Sequence, residues 1–60
     1  MRIMNENIKS IRTKNLQYEL RKNQYWCETP KSFEIWEHDN GLDSRIHRIS
    51  KSNISFVHAL

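Results

Sequence analysis

Three histidines and one cysteine are the side chains best suited to hold a metal ion in this sequence of 60 residues. A structural zinc site needs about four nitrogen or sulfur ligands, which usually come in closely spaced pairs. The candidate ligands are Cys27, His38, His47 and His58. Their separations along the chain contain no such pair. We therefore expect no metal site and no cofactor.

Catalytic chemistry is not indicated by the remaining reactive side chains. A nucleophilic cysteine needs a lowered pKa, but Cys27 is followed by the negatively charged Glu28, which acts in the opposite direction. Glycoside-cleaving carboxylates stand about 5–10 Å apart across a cleft, and a chain this small offers no deep cleft. The four clustered carboxylates are Glu34, Glu37, Asp39 and Asp43. We predict a non-enzymatic protein with no catalytic residue and no small-molecule substrate.

The strongest structural signal is the dipeptide Asn40-Gly41, which is typical of a tight β-hairpin turn because both residues tolerate positive φ. Aromatic and β-branched residues alternate with polar ones on both sides of it, which predicts strands over 32–38 and 44–50. A two-residue or a four-residue loop gives the same pairs. These pairs are Asp39 with Leu42, His38 with Asp43, Trp36 with Arg45, Ile35 with Ile46, and Glu34 with His47.

A third strand is predicted over 54–60, after the polar break 51–53, which would complete a three-stranded antiparallel β-meander. Side chains alternate between the two faces of a strand. One face of this sheet would carry Phe33, Ile35, Ile46, Val57 and Ala59, and the other would carry Trp36, Ile49, Ile54, Phe56 and Leu60. Both faces are therefore partly apolar, whereas an antiparallel sheet in a small monomer should have one polar face.

The amino-terminal half of the chain leaves two interpretations open. Asn5 is a good helix cap and strong helix formers dominate residues 14–24, which favours one helix over 5–24 followed by a linker over 25–31. The alternative is a shorter helix that ends near Asn15, with a strand over 16–20. The longer helix gives our prediction: a single α+β domain over 1–60, with an amino-terminal helix packed on the β-meander.

A second apolar face in so small a domain predicts an interaction surface. A domain of about 60 residues is marginally stable without disulfides, metals or oligomerisation, and one cysteine cannot form an internal disulfide. We predict that the protein is a homo-oligomer, binds a protein target, or does both. The partner-binding residues would be Trp36, Arg45, His47, Ile49, Phe56 and His58.

The competing prediction is a small nucleic-acid-binding protein. The net charge is +3, and exposed aromatic rings can stack on bases while basic side chains contact phosphate. The phosphate contacts would be Lys9, Arg12, Arg21 and Lys22. The aliphatic residues on the second face favour the protein interface over this alternative.

The cellular setting is predicted from composition. No apolar run is long enough for a transmembrane segment or a signal peptide, so we expect a cytoplasmic protein with no membrane partner. The abundance of Asn, Lys and Ile in a short chain without catalytic motifs is typical of accessory or inhibitor proteins of phages and mobile elements.

Overall fold

The computed structural model describes residues 2–60, and this part of the chain consists of seven β-strands with no α-helix. The strands are β1 (Ile3–Met4), β2 (Ile8–Thr13), β3 (Gln17–Glu19), β4 (Gln24–Glu28), β5 (Ser32–Asp39), β6 (Leu42–Ser50) and β7 (Ile54–Ala59). A single 3-10 turn, Lys51–Asn53, joins β6 to β7. The predicted α+β class is therefore wrong, and the protein is nearly all β.

The strands form two antiparallel sheets. The four-stranded sheet has the order β1-β4-β5-β6, and the three-stranded sheet has the order β3-β2-β7. Both sheets contribute to one apolar core: Ile8 and Ile11 come from β2, while Trp26, Ile35 and Ile49 come from the four-stranded sheet. Tyr18, Phe33, Ile54 and Val57 pack against this core. Apolar residues of both sheets are thus withdrawn from water in the layer between them.

The predicted helix over 5–24 is wrong because its apolar residues serve two strands. Ile8 and Ile11 are buried on β2, and Tyr18 lies opposite Ile11 on β3. Asn5 accepts a hydrogen bond from the backbone N–H of Asn7 at 3.0 Å, so it closes a turn and does not cap a helix. In the alternative interpretation, the strand over 16–20 is confirmed by β3, but the shorter helix ending near Asn15 is wrong because β2 lies there. The predicted linker 25–31 contains most of β4.

The hairpin at Asn40-Gly41 is confirmed. Asn40 and Gly41 have φ of 52° and 76°, the positive values that such a turn requires. The predicted pairs Asp39 with Leu42, His38 with Asp43, and Trp36 with Arg45 are all present.

Beyond Arg45 the predicted register is wrong by one residue. A β-bulge places Ile35 opposite His47 and Glu34 opposite Arg48, so Ile46 has no directly opposed partner. The extra residue changes which isoleucine of β6 faces the core. Ile49 is 4% exposed and Ile46 is 41% exposed.

The third predicted strand exists, but the β-meander does not. The strand β7 pairs with β2 in the other sheet, so the predicted pairing of β6 with β7 is absent from residues 2–60. The turn Lys51–Asn53 carries the chain across, and its first backbone N–H is bonded to the carbonyl of Lys31 at 2.9 Å. Burying Ile54 and Val57 against the core favours this crossover over a third hairpin strand.

Candidate functional site

The outer face of the four-stranded sheet carries an ordered group of polar and aromatic side chains. Trp26 and Ile35 point into the core, so the residues that alternate with them on β4 and β5 point outward. Tyr25, Trp36 and Arg45 form one row across β4, β5 and β6, because Tyr25 lies opposite Trp36 and Trp36 lies opposite Arg45. The Arg2 guanidinium lies over the Trp36 ring, 3.8 Å from its centroid. We call Arg2, Tyr25, Glu34, Trp36, His38, Asp43 and Arg45 the Trp36 cluster.

Glu34 is the buried anion of the Trp36 cluster. It is 5% exposed, and its Oε1 accepts a hydrogen bond from Nε1 of Trp36 at 2.9 Å. Its Oε2 accepts one from Nη1 of Arg45 at 3.3 Å. The hydrogen bond from Trp36, together with that from Arg45, holds the pKa of Glu34 below its ordinary value despite the opposing effect of burial. The carboxylate therefore stays charged and fixes both neighbouring side chains.

Asp43 links the two remaining polar side chains of the Trp36 cluster. The Tyr25 hydroxyl donates a hydrogen bond to its Oδ2 at 2.8 Å, and His38 Nδ1 lies 2.5 Å from its Oδ1. The hydrogen bonds from His38 and then Tyr25 lower the pKa of Asp43. Partial burial, followed by the hydrogen bond to Asp43, raises the pKa of Tyr25.

The Asp43–His38 pair has the geometry of an acid–base couple, but its surroundings do not suit catalysis. The side chains of His38 and Asp43 are 62% and 47% exposed, so water screens the charges that a catalytic couple would use. Within residues 2–60, no hydroxyl or thiol is hydrogen-bonded to His38. Cys27 is 4% exposed, and burial raises the pKa of its thiol, which favours the unreactive protonated form.

The six predicted partner-binding residues lie in four places. Trp36 and Arg45 are neighbours in the Trp36 cluster, whereas Ile49 is buried in the core. His47 packs edge-on against Tyr18, with ring centroids 5.3 Å apart, at the margin where the two sheets meet. Phe56 and His58 lie together on the outer face of the three-stranded sheet, with ring centroids 4.5 Å apart. The single apolar face that was predicted is therefore not formed.

The four predicted phosphate contacts are also spread out. Lys9 and Arg12 lie on β2, and Arg21 and Lys22 lie in the turn that precedes β4. Arg12 lies opposite Gln17, and the acidic Glu19 stands between it and that turn along β3. The basic residues are exposed but do not form one continuous stripe, and their role in nucleic-acid binding stays a prediction.

Residues 2–60 contain no group of three or more His, Cys, Asp or Glu side chains arranged to hold a metal ion. No helix long and apolar enough to cross a membrane is found there.

Of the seven residues in the Trp36 cluster, only Trp36 and Arg45 were predicted to bind a partner, and no sequence pattern indicated Arg2 or Tyr25. Tyr25 fell in a predicted linker, and only the pairing of β4 with β5 brings it beside Trp36. The contact between His38 and Asp43, in contrast, follows from the hairpin register alone. The available signal for β4 was the aromatic pair Tyr25-Trp26, since both residue types are enriched in strands.

Comparison with known proteins adds no relatives: no protein-family model, no curated protein and no solved structure matches this chain.

Proposed function

We propose that this protein is a non-enzymatic interaction module that binds a protein partner through the Trp36 cluster. The observation that carries the proposal is the row of Tyr25, Trp36 and Arg45 across three adjacent strands, with Arg2 stacked on the indole. Tryptophan, tyrosine and arginine are the residue types that dominate the binding energy of protein interfaces. Here they share one outward-facing surface.

The Trp36 cluster is held in place before any partner arrives. Glu34 fixes the indole of Trp36 and the guanidinium of Arg45, and Asp43 fixes the Tyr25 ring and His38. Immobilising a flexible side chain on binding costs about 0.5–1.5 kcal/mol, so side chains that are already ordered favour association. The hydrogen-bond network therefore supports a binding role as well as a structural one.

The charges around the Trp36 cluster favour an acidic partner surface. Glu34 and Asp43 are already engaged by neighbours in the Trp36 cluster. Arg48 lies opposite Glu34 on the same face and is exposed, and it makes no salt bridge within residues 2–60. Arg2, Arg45 and Arg48 against the carboxylates of Glu34 and Asp43 leave this face with one positive charge in excess, which complements carboxylates on a partner. An accessory or inhibitory protein of phage type would act by covering such a surface.

Affinity capture from the source cells, followed by measurement of the binding affinity for the purified captured protein, tests the proposal. Trp36→Ala and Arg48→Glu should each weaken binding by about 2 kcal/mol, or roughly 30-fold, if they lie at the centre of the interface. Leu42→Ala is the matched control, because Leu42 is 74% exposed on the same hairpin but outside the Trp36 cluster. Circular dichroism confirms that each variant is folded. Equal binding by all four proteins would overturn the proposal.

Nucleic-acid binding is the second candidate, and one observation favours it. Arg12 lies opposite Phe56 on the outer face of the three-stranded sheet, beside His58, so a cation and an aromatic ring are neighbours there. Such a site would bind oligonucleotides with an affinity that falls steeply as salt rises. Fluorescence anisotropy with single-stranded and double-stranded oligonucleotides at low and high salt separates it from protein binding, and Phe56→Ala should abolish the signal.

A further inference from the structure

The strand β7 has one open edge. It pairs with β2 on one side, and no strand of residues 2–60 lies on its other side. Unpaired backbone N–H and C=O groups along such an edge are a template for another strand. This surface is separate from the Trp36 cluster, which lies on the other sheet, so the inference goes beyond the proposed function and stands on a different observation.

Charge distinguishes β7 from the other open edges. The residues of β7 include no Asp, Glu, Lys or Arg, whereas β6 carries Asp43, Arg45 and Arg48. The edge strands β1 and β3 are two and three residues long. Charged residues and short length are the usual protections of an edge strand against pairing with another chain. Among the edges that the structure describes, β7 alone is longer than three residues and uncharged.

Backbone alternation shows which groups of β7 are free. The N–H of Leu60 donates to the carbonyl of Asn7 at 2.9 Å, on the side of β2. Because successive residues direct their backbone groups to opposite sides, Ala59 and Val57 direct theirs to the open edge. The bulge at Ser55 ends this regular pattern, since Ile54 pairs with Thr13 and Phe56 pairs with Arg12.

Two copies of this edge can pair through a two-fold axis at Val57. Val57 of one copy then lies opposite Val57 of the other, and each donates to the other because both direct their backbone groups outward. Phe56 of each copy lies opposite His58 of the other, in the pair type that brings side chains closest. Phe56 already packs edge-on against its own His58 on the outer face. The two copies are therefore complementary in backbone hydrogen bonding and in side-chain packing.

We propose that two copies of this chain associate through antiparallel pairing of their β7 strands, centred on Val57, to form one continuous six-stranded sheet. The isologous contact uses the same strand of both copies, so the assembly closes at two. The strand is short and its exposed aromatic is Phe56, at 57%. An interface of this kind lies at the small end of specific interfaces, below about 1,200 Å² in total, so we expect a dimer in rapid exchange with monomer.

Sedimentation equilibrium and native mass spectrometry on the full chain test the proposal by a charge swap. Phe56→Lys places a cation opposite His58 of the other copy, and His58→Glu places an anion opposite Phe56. Each variant should raise the dimer dissociation constant at least about tenfold. Mixing the two variants should restore a heterodimer, because the introduced lysine of one copy then lies opposite the introduced glutamate of the other, while the second pair remains Phe56 with His58.

Leu42→Lys is the control, because it adds the same charge at an exposed apolar residue on the edge of the other sheet. It should leave the dimer unchanged, and circular dichroism should show that all three variants keep the strand content of the wild type. A wild type that stays monomeric at every concentration, an open-ended assembly larger than a dimer, an equal loss of dimer in Leu42→Lys, or no heterodimer on mixing would each overturn the proposal.

Discussion

Nε1 of Trp36 donates a hydrogen bond to Oε1 of Glu34 at 2.9 Å, two residues away on the same face of β5. The acceptor is 5% exposed, although it lies on the outer face of a sheet. The four-stranded sheet thus has a small polar interior of its own outside the apolar core, and Trp36 and Arg45 cover it. The stability of this arrangement can be measured directly.

Replacement of Glu34 should destabilise the protein in proportion to the hydrogen bonds that it loses. Glu34→Ala leaves the Trp36 N–H and the Arg45 guanidinium without their acceptor, which should cost about 1–3 kcal/mol. Glu34→Gln keeps an acceptor oxygen and should cost less. Urea denaturation measures the free energy of unfolding, and Glu6→Ala, at an exposed turn residue, should change it by no more than about 0.5 kcal/mol. Equal stability of Glu34→Ala and wild type would show that the Trp36 cluster is not ordered as described.

The turn between β5 and β6 should tolerate glycine and reject alanine. Gly41 has φ of 76°, and a Cβ there would meet no atom within 4 Å, so the cost of Gly41→Ala comes from the backbone alone. We expect a loss of about 1–2 kcal/mol, which thermal or urea unfolding can detect. Asn40→Gly, at the neighbouring residue with φ of 52°, should change the free energy of unfolding by only about a few tenths of that loss. A larger loss for Asn40→Gly than for Gly41→Ala would contradict the turn geometry.

The β-bulge of β6 predicts unequal roles for two isoleucines three residues apart. Ile49→Ala removes a side chain that is 4% exposed in the core, and it should cost about 2–5 kcal/mol. Ile46→Ala removes one that is 41% exposed, and it should cost about 1 kcal/mol at most. Reversed costs, measured by urea unfolding, would indicate the regular register in which Ile46 lies opposite Ile35 and Ile49 faces outward.

The ion pair of Glu28 with Lys51 should make stability depend on pH. Lys51 Nζ lies 2.6 Å from Oε2 of Glu28, and this hydrogen bond is the main reason that the pKa of Glu28 lies below its ordinary value of 4.5. A lowered pKa in the folded state means that the contribution is complete above 4.5 and is lost as the pH falls through the lowered value.

Lys51→Met removes the charge, and the pH dependence of its effect isolates the ion pair, because the contact of the Lys51 ammonium with the Phe33 ring, 5.1 Å from its centroid, is lost equally at every pH. The difference in urea midpoint between wild type and Lys51→Met should be largest near neutral pH. It should shrink toward pH 3, which is roughly one pH unit below the pKa of an unperturbed Glu. Other acidic groups titrate equally in both proteins and cancel in the difference. A gap that stays constant or widens toward low pH would show that the pair does not lower the pKa of Glu28.

The hairpin was predictable from sequence because its determinants are local. Asn40-Gly41 selects the turn, and the turn sets the pairing of His38 with Asp43 and of Trp36 with Arg45. The bulge was not predictable in the same way, because it depends on which isoleucine fits a core that is completed by the other sheet. A register shift of one residue exchanges the faces of a strand, so this single residue decided the assignment of Ile49.

The amino-terminal half could not be assigned from local preference. Glu, Leu, Lys and Arg favour a helix over 14–24, but such preferences are worth less than about 1 kcal/mol per residue. Burial of Ile8, Ile11 and Trp26 against strands from the other half of the chain outweighs them. Because β4 was missed, Tyr25 was missed with it, and only Trp36 and Arg45 of the seven residues in the Trp36 cluster were predicted as binding residues.

The bulge at Ile46 also bears on how this chain can vary in length. The pairs on its two sides, Trp36 with Arg45 and Ile35 with His47, are consecutive on β5 and skip only Ile46 on β6. Deletion of Ile46 would therefore join them into a regular ladder with Ile49 still facing the core, and what would be lost is the local bend and extra twist of the bulge. The exposed isoleucine of this strand is thus the position at which the chain can become one residue shorter without turning a core side chain toward water.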